Sequence, residues 1–293
     1  LESNHNLKFS KFVLKDDKII IETRLKTQHT NPISLYFALR ELAVIADKYD
    51  DLIISRFDNV FSINTSHIKD LPEKEFEVKI KYFKNWIKES LTIYEKFDAI
   101  KNTNAISFII LRTIYRILYL LSPEGELLNE LNQILDIFYS KNIKTDIERN
   151  MLIFKKIEKI SYWNREKLQK SFYLVLATFS VAPPVDPKEI ISFMKTEISK
   201  VHWYYDNTQE EVGMAIMEYI IGYVCNSYTS VPLLNELFDI YWKINHHEFF
   251  LELGFKNLPY DKNHINYILL NQEFNKINSS YKKFFPKFNF NIK

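Results

Sequence analysis

The chain has 293 residues, and its 39 basic and 37 acidic side chains leave a net charge of +2. This near balance gives no overall field that would attract nucleic acid or an anionic membrane, so we expect neither as a direct partner. Only 4 Gly and 9 Pro interrupt the chain, which excludes a turn-rich β protein and favours long helices. The single cysteine, Cys225, excludes internal disulfides and is typical of a reducing compartment. The first residues contain no apolar stretch of the signal-peptide type, and we therefore expect a cytoplasmic protein.

The first predicted element is a β-hairpin. Residues 7–14 and 19–25 are rich in β-branched and aromatic residues, and the polar residues 15–18 between them are typical of a turn. After the hairpin, Asn31 can cap a helix whose first position is Pro32. The hairpin is therefore expected to lead directly into a helix.

This first helix repeats apolar residues at helical spacing until Asp58 and Asn59 end it. The next run, residues 60–65, is short and branched enough to be a third strand beside the hairpin, since a two-stranded hairpin alone would be marginally stable. We therefore predict a small α+β unit of ββαβ order over residues 1–70.

The remaining residues, 71–293, carry the capping residues and spacing of a helical domain. No fixed repeat is present, so a regular repeat array is not supported, and we expect an irregular antiparallel helical bundle or helical-hairpin array. The predicted helices are one from Glu73, then 105–122, 126–140, 146–160, one from Asn164 to the break at Pro183, 187–200, 209–226, one from Ser230 to Gly254, and 262–284.

The helix predicted over residues 105–122 is apolar nearly all round and therefore needs neighbours on most of its surface. Its length approaches that of a membrane span, but Arg112 and Arg116 at mid-depth would be unfavourable in hydrocarbon, so we predict a buried central helix. The two arginines are one turn apart and share a face. Two interpretations stay open: interior ion pairs with acidic residues of a neighbouring helix, or a grip on a phosphate or carboxylate ligand.

No stretch carries a specific catalytic signature. Arg24 and His29 have the R-x4-H spacing of helical ribonucleases of the HEPN type, but they lie on a strand that leads into a loop. The sequence therefore predicts no catalytic residues, with a helical ribonuclease using Arg24 and His29 as a remote alternative.

Two further groups have simpler explanations than a catalytic or metal site. Asp16 and Asp17 are typical of an exposed turn. His246 and His247 are adjacent, so they point about 100 degrees apart on a helix and lack metal-ligand spacing. We expect no metal and no cofactor.

The most distinctive surface chemistry is a predicted aromatic loop, residues 202–207, before a helix that opens with acidic residues. Aromatic side chains dominate interface hot spots, and acidic neighbours could meet a basic partner. The alternative is that Trp203 and one tyrosine pack between helices. The predicted partner-binding residues of this region are Trp203, Tyr204, Tyr205, Asp206, Glu210 and Glu211.

A second acidic set, Asp47, Asp50 and Asp51, lies at the end of the first predicted helix. Acidic side chains there are unfavourable toward the helix dipole, which suggests a second partner-binding group. A solvated helix end is the alternative.

Two resemblances to known families come from particular stretches. YFKNWIKES, LRTIYRILYLLS and SFYLVLATFSV followed by Pro183 and Pro184 resemble the helical immunity proteins of bacterial polymorphic-toxin and contact-dependent growth inhibition systems, over about residues 73–255. That resemblance implies a cytoplasmic, non-catalytic protein that binds one cognate toxin tightly and blocks its active site. LKDDKIIIETRL followed by LRELAVIADKYDDLI is similar to the strand-then-helix pattern of type III secretion chaperones and their YbjN-like relatives.

The leading functional hypothesis is therefore an immunity protein that neutralises a cognate toxin. A secretion chaperone or helical scaffold is the second hypothesis, and a helical ribonuclease is the third. The sequence leaves open the identity of the partner and the oligomeric state.

Overall fold

The computed structural model describes residues 4, 7–26, 28, 30–57, 59–63, 66, 68–97, 101–143, 145–175, 185–207, 209–228, 232–261 and 264–282. Over these residues the protein is mainly helical, which confirms the predicted fold class at that level. The helices are α1 (Pro32–Arg56), α2 (Glu73–Lys96), α3 (Thr103–Arg116), α4 (Gly125–Tyr139), α5 (Asp146–Ser161), α6 (Arg165–Gln169), α7 (Pro187–Asp206), α8 (Glu210–Ser227), α9 (Pro232–Asn245), α10 (His247–Glu252) and α11 (Tyr267–Lys282). The strands are β1 (Ser10–Lys15), β2 (Lys18–Thr23), β3 (Ile68–Asp70), β4 (Tyr173–Val175), β5 (Tyr260–Asp261) and β6 (His264–Ile265), paired as β1-β2, β3-β4 and β5-β6.

The predicted hairpin is confirmed. β1 and β2 pair antiparallel around Asp16 and Asp17, whose φ angles of 49° and 58° are those of the tight turn that matches strand twist. Asn31 caps α1 by accepting a hydrogen bond from the Ser34 amide, and Pro32 is the first helical residue. The start of the chain therefore follows its local sequence signals.

The third strand predicted beside the hairpin is wrong. Residues 60–63 form no strand, and residues 64 and 65 lie outside the described residues. Instead, Ile68–Asp70 pairs antiparallel with Tyr173–Val175, with Ile68 opposite Val175. A run of aromatic and branched residues more than a hundred positions away provides the strand edge, and local sequence cannot identify such a partner.

The long helix predicted from Asn164 to Pro183 is also wrong. Asn164 does cap a helix, accepting a hydrogen bond from the Lys167 amide, but α6 ends at Gln169 and the chain then enters β4. Short apolar runs fit a buried strand as well as a buried helix, so periodicity alone did not decide this element. Residues 176–184 lie outside the described residues.

Three further boundaries differ from the prediction. α7 continues through Asp206, so the predicted aromatic loop is the last turn of a helix. The helix predicted to run to Gly254 is interrupted at His246, which separates α9 from α10. The last helix, predicted to begin at residue 262, begins at Tyr267 and is capped by Asn266, and Tyr260–Asp261 forms β5.

The central position of α3 is confirmed. Its side chains lie among the least exposed of the described residues, and Leu111 and Ile114 are fully buried. A π-helical turn, Ile117–Leu121, extends the helix, and Ser122 ends it in the left-handed conformation. Thr103–Leu121 is long and apolar enough to cross a membrane, but 72% of that window is buried inside the fold, as in a core helix.

Candidate partner-binding surface

The predicted aromatic residues lie on the last turn of α7, where the structure gives them different environments. Trp203 is 57% exposed and Tyr205 is 44% exposed, whereas Tyr204 is only 9% exposed. The Tyr204 ring packs edge-on against Phe108, with ring centroids 6.3 Å apart. One tyrosine therefore packs between helices, and the tryptophan does not.

Trp203 stands beside a cleft that we call the Trp203 cleft. Its volume is about 530 Å³, and it is lined by Trp203, Tyr204, Gln209 and residues 101–105 and 145–147. The cleft thus lies where α7 ends and where α3 and α5 begin. A partner side chain that entered it would lie beside Trp203 and residues at the starts of two helices.

Tyr205 lies on the other side of the same turn, because residues two apart on a helix point about 200 degrees apart. Its ring covers Gly213 of α8, where an added Cβ would lie 2.7 Å from the ring. The structure therefore does not bring Trp203 and Tyr205 into one anchor cluster.

The acidic residues near this turn are all exposed, but they are not equivalent. Glu211 has a carboxylate oxygen 3.9 Å from a guanidinium nitrogen of Arg112. Asp206 and Glu210 make no ion pair with any residue that the structure describes. Asp206 and Glu210 are therefore the acidic side chains best placed to meet a basic partner.

The second acidic set occupies the last turns of α1, where that helix packs beside the start of α4. Asp51 accepts a hydrogen bond from the Tyr173 hydroxyl and lies 3.4 Å from the position of a Cβ on Gly125. Burial, together with the nearby Asp47, Asp51 and Asp50, raises the pKa of Glu124 to about 7. Asp51 therefore takes part in intramolecular packing, whereas Asp47 and Asp50 are exposed.

Arg116, at the end of α3, is almost completely buried among acidic and aromatic side chains. It donates to both carboxylate oxygens of Glu218, at 2.8 and 2.9 Å, and to Glu89 at 3.2 Å. Its guanidinium carbon also lies 5.3 Å from the centre of the Trp86 ring. Arg112 donates to the other Glu89 oxygen at 2.7 Å. The interior ion-pair interpretation of the two arginines is confirmed.

This buried ion network joins four elements: α2 through Glu89, α3 through the arginines, α8 through Glu218, and the α9–α10 junction through His246. The His246 Nε2 lies 3.2 Å from a Glu218 oxygen. Burial alone would raise the pKa of Glu218, but Arg116 and His246 outweigh it and lower that pKa to about 2. Burial lowers the pKa of His246. Glu218 therefore stays charged and hydrogen-bonded, which suits a structural pair rather than a proton carrier.

Sequence reasoning missed Glu89, Glu218 and His246 as members of this network. A signal was present for Glu218, because it is the only charged residue between Val212 and Val224 in an apolar helix. An acid buried in such a helix needs a cationic partner. The two arginines of α3 were the available buried cations.

Of the residues considered for catalysis or metal binding, His246 belongs to the buried ion network. Arg24 is exposed and pairs with Glu22 at 3.1 Å, and His29 lies outside the described residues. The His247 ring packs 5.2 Å from that of Tyr260. Within the described ranges, no group of three or more His, Cys, Asp or Glu side chains is placed to hold a metal ion.

A comparison with known proteins finds no matching family model, no matching curated protein and no matching solved structure.

Proposed function

We propose that the protein is a non-catalytic protein-binding module, an immunity protein that neutralises a cognate toxin by covering its active site. The observation that carries the proposal is Trp203, a 57% exposed tryptophan beside a cleft of about 530 Å³. Tryptophan is the residue type most enriched in interface hot spots.

The acidic residues near Trp203 suggest the class of toxin. Asp206 and Glu210 follow it at the end of α7 and the start of α8, and both are exposed. A nuclease needs a basic surface to hold the phosphate backbone, so these carboxylates would complement its substrate-binding face. The toxin proposed is therefore a nuclease, which the protein would inhibit by excluding its nucleic acid substrate.

The test compares three alanine variants for thermal stability and for affinity toward the co-purified partner. Trp203→Ala should keep the melting temperature and weaken binding by about 2 kcal/mol or more, roughly thirtyfold in Kd. Tyr204→Ala should instead lose stability, because it opens a cavity in the core. Tyr162→Ala is the matched control, since Tyr162 is 79% exposed on a different helix end. Unchanged affinity in a folded Trp203→Ala protein would remove this cleft from the interface.

One observation favours the second candidate, a secretion chaperone or helical scaffold. Large apolar side chains are exposed along the hairpin, α1 and the segment after it, and surfaces of this kind mark interaction sites. They are Leu14, Ile19, Ile20, Ile33, Leu35, Tyr36, Phe37, Leu39, Ile54, Phe57, Phe61 and Ile63. Capture of a secreted protein whose activity is not inhibited, unaffected by substitutions in the Trp203 cleft but lost with substitutions in this set, would favour the second candidate.

A further inference from the structure

The two outer edges of the N-terminal hairpin differ in the hydrogen-bond partners of their backbone groups. On β1, the Phe12 amide donates to the Asn4 side chain at 2.7 Å, and the Asn4 amide group donates back to the Phe12 carbonyl at 3.1 Å. The Ser10 amide donates to Glu41 of α1 at 2.7 Å. Polar side chains thus occupy the outer edge of β1, as expected for a strand protected from further pairing.

Among the described residues, no polar side chain covers the outer edge of β2 in this way. In an antiparallel pair, residues alternate between those that bond across the pair and those that point their backbone groups away from it. The backbone N–H and C=O of Phe12 point away from β2, and Phe12 lies opposite Ile21. Leu14, two residues on, has the same backbone orientation and lies opposite Ile19. Ile19 and Ile21 therefore direct their N–H and C=O groups outward, and no hydrogen bond to these groups exists within the described residues.

The side chains of β2 are also unusually apolar for an edge strand. Ile19 and Ile20 are 47% and 38% exposed, and the strand carries three consecutive isoleucines. The groove beside it has a volume of about 490 Å³ and lies between the hairpin, α1 and residues 59–63, with Tyr49 and Ile53 of α1 in its lining. An exposed apolar strand with unpaired backbone groups is a template for pairing with another strand.

The sequence of β2 is complementary to itself. If two copies pair antiparallel with Ile20 opposite Ile20, then Ile19 lies opposite Ile21, and Lys18 lies opposite Glu22 at both ends. This register also matches Ile19 with Ile21, the two residues whose backbone groups point outward. A shift by two residues in either direction would place Ile20 opposite Glu22 or Lys18, and both charge pairs would be lost.

We propose that β2 is a self-association surface that pairs antiparallel with β2 of a second copy of this chain, in the register that sets Lys18 against Glu22. The dimer contains one four-stranded sheet of order β1-β2-β2-β1, with α1 of each copy on the same face. The dimer extends a two-stranded sheet that is packed against α1 to four strands, and a sheet of three or more strands with an apolar face is more stable than a hairpin. Lys18 makes no ion pair among the described residues and gains one across the dimer, where it joins Lys11 and Arg24 as a third cationic neighbour of Glu22.

The experiment measures the oligomeric state of the full chain by sedimentation velocity over a range of concentrations. Lys18→Glu places a carboxylate opposite Glu22 of the other copy, and like charges directly opposite each other are destabilising. Within one hairpin the same change is favourable, because Lys18 lies opposite Lys15. Lys15→Glu is the matched control, since it makes the same hairpin pair and the same charge change on β1 instead of β2.

We expect a concentration-dependent dimer for the wild type and for Lys15→Glu, and a dimerisation constant weakened at least about tenfold for Lys18→Glu. An equimolar mixture of Lys18→Glu and Glu22→Lys should restore dimers, because both mixed pairs then have opposite charges. A wild type that stays monomeric, equal effects of the two lysine variants, or no recovery on mixing with a Glu22→Lys protein that melts like the wild type would each overturn the proposal. The readout involves no toxin, so its outcome is separate from that of the proposed function.

Discussion

Glu218→Gln tests whether the buried ion network holds the helices together. The substitution keeps the shape of the side chain and removes its charge, which leaves Glu89, at 3.2 Å, as the one carboxylate that pairs with the buried Arg116. Removing one partner of a buried pair destabilises a protein by about 3–5 kcal/mol. The pKa gives a similar figure: the difference between 4.5 and about 2 corresponds to about 3 kcal/mol at neutral pH.

The expected loss of stability can be measured as a lower melting temperature and as a changed dependence of stability on pH. For a chain of this size, 3–5 kcal/mol lowers the melting temperature by roughly 6–10 °C. Because the folded pKa is lowered, the stabilisation by Glu218 is present above pH 4.5 and is lost as the pH falls toward 2. The wild type should therefore lose stability over that window, and the Gln variant should lose less.

The assay is thermal and urea unfolding between pH 3 and pH 7, followed by circular dichroism. Glu210→Gln is the matched control, because Glu210 lies exposed at the start of the same helix and should change stability by less than about 0.5 kcal/mol. A Glu218→Gln protein that melts within about 2 °C of the wild type at pH 7 would refute the structural role of the network.

Two further predictions concern close packing and a second carboxyl group. Gly222→Ala should destabilise the protein by about 2 kcal/mol or more, because the added Cβ would lie 2.2 Å from the Tyr115 Cβ in the core. Gly213→Ala should destabilise it less, since the exposed Tyr205 ring can move away from the added Cβ. Equal urea midpoints for the two variants would contradict this prediction. The raised pKa of Glu124, about 7, means that its contribution is fully present below pH 4.5 and lost as the pH rises through 7. Glu124→Gln should therefore be more stable than the wild type at pH 8 and similar to it at pH 4.5. A difference in melting temperature between the two proteins that stays constant from pH 4.5 to pH 8 would exclude the effect.

Features set by local chemistry were predictable from the sequence. Asn31 and Thr145 cap helices as expected, because a side-chain oxygen three residues before a free amide is sufficient for this contact. Burial of α3 followed from its apolar circumference. The hairpin turn at Asp16 and Asp17 followed from a polar pair between two strand-like runs.

Features set by distant partners were not predictable in this way. β4 exists as a strand because Ile68–Asp70 pairs with it, and nothing near Tyr173 in the sequence identifies that partner. Trp203 is exposed and Tyr204 is buried because α7 continues to Asp206, and adjacent residues of a helix point to different faces. The pairing of Arg116 with Glu218 spans about a hundred residues and required the packing of α3 on α8.

The most direct test of the proposed function is co-purification from the native host followed by mass spectrometry and an activity assay of the captured protein. The comparison uses the wild type, the double variant Trp203→Ala with Glu210→Lys, and Tyr162→Ala as control. We predict that the wild type and the control enrich one toxin and suppress its activity, and that the double variant does neither. If no toxin is enriched, or if the double variant captures and inhibits it as well as the wild type does, the assignment of an immunity function to the Trp203 cleft is contradicted.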